Sequence, residues 1–173
     1  MEKSMIKVFK GHIPPLACKA IIEEGQSRPQ IDAGVGKTNK KSRGRSTKVS
    51  FIHNDFLNSV IRDLVIFNYD YEITEAEDLQ FAAYNVGDFY GLHKDVDEEN
   101  NRVLSVTVQL SKPSEYEGGD LVFDYDRHPM EKTRGTIIIF PSNLYHEVTP
   151  VTKGERYSLV QWFKGQKIKK EKK

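Results

Sequence analysis

Cysteine is nearly absent from this chain: Cys18 is the only one among 173 residues. A single thiol excludes an intramolecular disulfide and suits a reducing compartment. With no metal-ligating neighbours in sequence, Cys18 is expected to pack on a helix as a small hydrophobe. Long apolar runs are missing too, none nearing the roughly 20 residues that cross a bilayer. The opening MEKSMIKVFKGHIPP lacks the apolar stretch of a secretory signal. No repeat of fixed period occurs, and net charge is only +1. These absences exclude a disulfide scaffold, a spanning helix and a repeat array. What is left is one soluble, cytoplasmic domain long enough to bury a core.

Charge is balanced overall but not locally. Residues 28–48 hold seven Lys/Arg against one Asp, and the tail 164–173 holds six Lys against one Glu, which leaves the rest of the chain at −10. Two basic segments on an acidic body are either solvated loops or attractors of an acidic partner.

The first third of the chain reads as helical. Pro14 and Pro15 suit the start of a helix over 14–27, Leu16, Ala20 and Ile21 form its apolar stripe, and Gly25 suits its end. A loop follows. Asn54 then caps a second helix carrying Leu57, Val60, Ile61 and Leu64 at spacings of three and four. From residue 78 onward short β segments alternate with Gly, Pro and Asn turns: LQFAAYNV, RVLSVTVQL, DLVFDY, GTIIIF, YHEVTPV and RYSLVQWF. This order implies an α+β fold whose β portion is a sandwich or jelly roll. One domain is expected over 1–163, with a helical region over residues 1–75 and a β core over 76–163, followed by the basic tail 164–173.

Alternation in these strands is unusual. In RVLSVTVQL one face carries Leu104, Val106, Val108 and Leu110, and the other Ser105, Thr107 and Gln109. In RYSLVQWF, Arg156, Ser158, Val160 and Trp162 share a face, and in LQFAAYNV Gln80, Ala82 and Tyr84 align. Trp162 beside Arg156 makes an odd solvent surface. A barrel interior that holds a polar ligand accounts for it better.

The stretch GLHKD sets His93 and Asp95 two apart at the end of an apparent strand, hence on one face. They are either a salt-bridged turn or two ligands of a metal site. His146, with 50 residues between it and Asp95, lies in PSNLYHEVTPV and supplies a second imidazole. Two His and one carboxylate are the ligand set of non-haem Fe(II) oxygenases, which leaves coordination positions open. Arg156, on the interior-type face with Ser158, is suited to grip a carboxylate with two donors.

The stretches YNVGDFYGLHKD, RVLSVTVQLS, YEGGDLVF and GTIIIFPSNLYHEVTPVTKGERYSLVQWF run in one order over residues 80–163. Through them the chain resembles the 2-oxoglutarate- and Fe(II)-dependent dioxygenases, in particular the prolyl 4-hydroxylase-like branch with its small bacterial and phage iron-regulated hydroxylases. The resemblance implies a double-stranded β-helix (jelly-roll) core with helices packed outside. It implies that His93, Asp95 and His146 ligate Fe(II) and that Arg156, with Ser158, pairs with the far carboxylate of 2-oxoglutarate. Tyr84 would lie against that co-substrate, Gln109 would lend a polar group to its far end, and Tyr90 and Trp162 would line the substrate pocket. The implied reaction consumes O₂ and 2-oxoglutarate, with ascorbate as an accessory reductant, and hydroxylates an aliphatic C–H bond. A proline in a peptide or protein is the leading substrate, with free amino acids as an alternative.

Two departures bear on this. Iron-regulated relatives often continue into a helical extension, whereas here a lysine tail follows. The segment IDAGVGKTNKKSRGRSTK, where prolyl hydroxylases carry a mobile substrate loop, has a composition of its own. Two other readings stay open: a β-barrel binding module that holds metal and grips an acidic partner through the basic loop, and a nucleic-acid demethylase. The latter usually carries a second arginine soon after the first; none follows Arg156, so nucleic acid is disfavoured. Gly118-Gly119 reads as a tight turn. Asp97 reads as loop, and His12, His53 and His128 as ordinary surface or capping residues.

Overall fold

The computed structural model describes residues 5–33 and 44–168. Two helices and fourteen strands are placed there: β1 (Lys7–Phe9), α1 (Pro15–Ser27), β2 (Ile31–Asp32), β3 (Arg45–Ser46), β4 (Lys48–Ile52), α2 (Asp55–Asn68), β5 (Tyr71–Ala76), β6 (Leu79–Tyr84), β7 (Phe89–His93), β8 (Arg102–Gln109), β9 (Tyr116–Gly118), β10 (Leu121–Phe123), β11 (Ile137–Pro141), β12 (His146–Val148), β13 (Val151–Gly154) and β14 (Arg156–Lys167). The larger sheet runs β1-β11-β8-β14-β6-β4-β2, with β5 also on β14, and a smaller one runs β10-β12-β7-β3. Strands β13 and β9 form a two-stranded ribbon. This is the double-stranded β-helix that the sequence leads one to expect, with its ligand-binding space between the two sheets.

The large sheet has two chemically different faces. Leu104, Val106, Val108, Phe81, Leu159 and Phe163 point outward and pack with Cys18, Ile21, Leu57, Ile61 and Val65 of the helices in one core. Burying each such side chain stabilises the fold by roughly 1.5–3 kcal/mol. The opposite face is turned to the interior and carries polar and aromatic groups, as the alternation anticipates. Both helices therefore lie outside the roll. Asn54 caps α2 by accepting from the Leu57 N–H, and Cys18 is fully buried on α1.

Some expectations are corrected. The region over residues 1–75 is not simply helical, because β1 to β4 and most of β5 lie in it and join the two sheets. Gly25 does not end α1; it sits inside the helix, against the Phe81 ring. The basic tail begins as strand, since β14 continues to Lys167. The basic loop is partly β, contributing β2 and β3, while residues 34–43 of it and the end of the tail lie outside the described residues. No helix among the described residues is long and apolar enough to cross a membrane.

Candidate active site

Pairing between β7 and β12 sets His93 directly opposite His146. Facing residues on neighbouring strands share a side, so both imidazoles enter the space between the sheets, ring centroids 4.2 Å apart. Asp95 lies just past β7, where its N–H donates to the Ser142 carbonyl at 3.0 Å. Its carboxylate comes within 3.3 Å of His93 Nε2 and 3.5 Å of His146 Nε2. One ligand atom from each residue lies within 4.8 Å of the others. Distant segments are thus brought to one point by strand register.

The tautomers suit a metal. His93 Nδ1 is 2.7 Å from the Gly91 carbonyl and His146 Nδ1 is 2.9 Å from the Leu144 carbonyl. A carbonyl can only accept, so each Nδ1–H donates and each Nε2 faces Asp95, where it can hydrogen-bond to the carboxylate or, deprotonated, ligate a metal. Burial disfavours the ionised Asp95, but His146, the His93 hydrogen bond and the Ser105 hydroxyl outweigh it and hold the carboxyl well below the usual carboxylate range. Burial pushes the His146 imidazole down, against the pull of Asp95. An ionised carboxylate beside a neutral imidazole is the protonation state a divalent cation requires. Two imidazole Nε2 atoms and a carboxylate converging in a buried space fit Fe(II). Ser105 Oγ donates to Asp95 Oδ2 at 2.6 Å and lies 2.9 Å from Ser142 Oγ, fixing the carboxylate from behind.

Deeper in the same cavity stands Arg156, only 1% exposed. Its Nη1 donates to Ser158 Oγ and its Nη2 to Gln109 Oε1, each at 3.2 Å. Its Cζ lies 5.0 Å from the Tyr84 ring, and Nε has no partner among the described residues. A buried guanidinium held only by neutral groups is costly unless an anion completes it. A dicarboxylate that reaches from metal to guanidinium would do so, and the residues fit 2-oxoglutarate. Gly119 makes room for this arginine: a Cβ there would come within 2.8 Å of Arg156 Cδ. The double-glycine turn is structural, as expected, and it also shapes the anion pocket.

Each residue anticipated from the sequence reaches this region. Tyr84, Tyr90, His93, Asp95, His146, Arg156, Ser158 and Trp162 line the cavity, and Gln109 supports it through Arg156. Tyr90 stacks on His93 with centroids 3.5 Å apart. Burial pushes its phenol up to about 12, so Tyr90 stays a neutral donor. Asp97 instead organises its own turn by accepting from the N–H groups of Glu99 and Asn100. His53 pairs with Asp55, His128 with Asp126, and His12 touches Phe9 edge-on. None of these three enters the cavity.

Sequence reasoning missed two arginines. Arg102 forms a bidentate pair with Glu77 (2.7 and 2.6 Å) and covers the Trp162 ring at 4.0 Å. Arg45, 9% exposed, lies over the Tyr90 ring at 4.3 Å and donates to Gln80 Oε1 at 3.1 Å. The position of Arg102 at the head of a strand is a usable signal. Arg45 sits among six other basic residues and has none.

Comparisons with known proteins agree with this geometry. Residues 79–164 match the profile of the 2OG-Fe(II) oxygenase superfamily. A PKHD-type hydroxylase of Hyphomonas neptunium is 32% identical over 148 residues, 81% of this chain and 66% of that protein. The chain spans 36% to 66% of the length of the bacterial PKHD-type hydroxylases it resembles. Among solved structures, a Pseudomonas putida prolyl-4-hydroxylase superposes with a TM-score of 0.78 at 23% identity, covering 92% of both chains. A prolyl hydroxylase in complex with a hypoxia inducible factor oxygen degradation domain peptide fragment, from Trichoplax adhaerens, gives 0.81 at 18% identity, covering 94% of this chain and 84% of that one. These two likenesses establish a shared fold.

Proposed function

The chain belongs to the 2OG-Fe(II) oxygenase superfamily, and from that premise we propose that it hydroxylates an aliphatic C–H bond, with a proline in a peptide or protein as its substrate. The observation that carries the proposal is the convergence of His93, Asp95 and His146 in one buried cavity with the unpaired Arg156.

His93 Nε2, Asp95 and His146 Nε2 hold Fe(II). Arg156, set by Ser158 and Gln109, receives the far carboxylate of 2-oxoglutarate, and Tyr84 bounds the co-substrate. When bound, iron and 2-oxoglutarate supply the oxidising chemistry, consuming O₂, releasing succinate and CO₂ and leaving a hydroxyl on the substrate. The protein's role is to orient and shield. Trp162, 8% exposed, and Tyr90 wall the cavity and exclude water. A peptide substrate is supported by the Trichoplax neighbour, which holds one.

The test is anaerobic binding of Fe(II) and 2-oxoglutarate followed by turnover on a proline-containing peptide library, read as succinate release and a mass gain of about 16 Da. Arg156→Ala is expected to raise the 2-oxoglutarate KM at least about a hundredfold, the loss of a charge-assisted bidentate contact. Succinate release unchanged in that variant would remove Arg156 from the proposed role.

A further inference from the structure

The cavity has two arginines, and one of them is left over. Arg156 is assigned to the co-substrate. Arg45 enters from β3 on the small sheet, is nine-tenths buried, and its Nε has no partner among the described residues. Its contacts are the Gln80 amide oxygen and the face of Tyr90. Among the described residues no carboxylate pairs with it. Arginines outside the cavity are treated differently: Arg28 meets Glu24, Arg102 meets Glu77, Arg127 meets Glu147 and Arg134 meets Glu115. Acids are supplied to these four guanidinia and, among the described residues, withheld from the two buried ones that face the cavity.

Withholding an acid from a buried guanidinium costs several kcal/mol unless a ligand restores it. The adjoining stretch 34–43, GVGKTNKKSR, lies outside the described residues and contains no Asp or Glu, so its composition offers no acid. One aromatic ring, Tyr90, separates the Arg45 guanidinium from the His93 imidazole. A group held there belongs to the portion of a substrate within about one or two residues of the carbon facing the metal, at roughly 3.3–3.6 Å per extended residue.

We infer that Arg45 is a specificity-determining residue that receives a carboxylate of the substrate, placed next to the position that is hydroxylated. The inference rests on the hydroxylase reading and adds the substrate's charge to it. Guanidinium recognises a carboxylate through two parallel N–H donors, and Gln80 with Tyr90 holds the fork in place. The carboxylate comes from an Asp or Glu side chain beside the target residue or from a chain-terminal or free amino-acid carboxyl group.

The experiment uses the full chain loaded with 2-oxoglutarate and Mn(II), with Fe(II) for turnover. Proline peptides are made in matched pairs, Asp or Glu against Asn or Gln beside the proline, and C-terminal acid against C-terminal amide. The acid member of at least one pair should bind about tenfold more tightly or better, a difference of about 1.4 kcal/mol. Arg45→Gln should bring that ratio to within about twofold, and Arg45→Lys, which keeps charge without the planar fork, should fall between. A melting curve and 2-oxoglutarate binding, which reports on Arg156, establish that each variant is folded. A response in the side-chain pairs assigns the carboxylate to a neighbouring acidic residue; a response only in the terminal pair assigns it to a chain end or free amino acid. If acids and amides bind alike, or neither binds, the inference is overturned. If acidic peptides bind through Arg45 and none is hydroxylated, the inference stands and the proline reading falls.

Discussion

Ser105 is not itself a proposed ligand of the metal, yet it decides how Asp95 points. Its 2.6 Å hydrogen bond to Oδ2 leaves Oδ1 on the His93 side. Ser105→Ala should weaken Fe(II) or Mn(II) binding about 10- to 100-fold, the usual cost of removing a hydrogen bond that orients a metal ligand. A metal titration against wild type measures it. Gly119 acts on the other end of the cavity. At φ 58° a non-glycine residue is strained by about 1–2 kcal/mol, and its Cβ would displace Arg156 Cδ. Gly119→Ala should therefore raise the KM for 2-oxoglutarate while leaving metal affinity within about twofold of wild type. A variant that binds both normally would show that the arginine has room to spare.

At the scale of elements, α1 depends on the glycine in its last turn. A Cβ at Gly25 would overlap the Phe81 ring of β6, so the helix sits closer to the sheet than any other residue would allow. Alanine favours a helix by up to about 1 kcal/mol, whereas overpacking costs about 1–3 kcal/mol. Gly25→Ala should come out destabilised in urea denaturation. The N-terminal edge carries a pH signature. Hydrogen bonds from Thr133 and Lys10 hold the Glu131 carboxyl down at about 2. A carboxyl depressed on folding adds stability above its unfolded value, and that stability is lost as pH falls toward its folded value. Between about pH 4.5 and 2, Glu131→Gln should lose less stability than wild type.

The same scale explains what the sequence could reveal. Long strands announce themselves: β8 and β14 alternate so regularly that their cavity and core faces can be assigned residue by residue, which gives Arg156, whereas His93, Asp95 and His146 are legible from residue type and spacing. The two-residue strands β2 and β3 carry no period of their own. Their partners impose them, Ile31 opposite Val49 and Arg45 opposite Tyr90. Arg45 reaches the cavity only because β3 pairs with β7, which no local pattern encodes. Gly25 misleads for a related reason, since a glycine that ends a helix and one that admits a neighbouring ring look alike in one dimension.

Across the whole molecule, the proposed ligands tie the two sheets together. His93 and His146 belong to the small sheet and Asp95 follows directly from it, whereas Arg156 and Ser158 belong to the large one. A metal ion would engage only the first group. In the proposed site 2-oxoglutarate would reach from metal to guanidinium, so it would have both anchors only when the cation is present. A ligand that binds only the folded state adds RT ln(1 + [L]/Kd), about 2.7 kcal/mol at a hundred times Kd. In anaerobic melts, 2-oxoglutarate alone should shift Tm little, Mn(II) alone moderately, and the two together by more than the sum. Arg156→Ala should remove the increment from 2-oxoglutarate and keep that from Mn(II), whereas His146→Ala should abolish both, because without its metal the arginine alone holds one end of a flexible dianion. Equal and additive shifts would mean that the two ligands bind independently, and the cavity would then not be a single site running from metal to arginine.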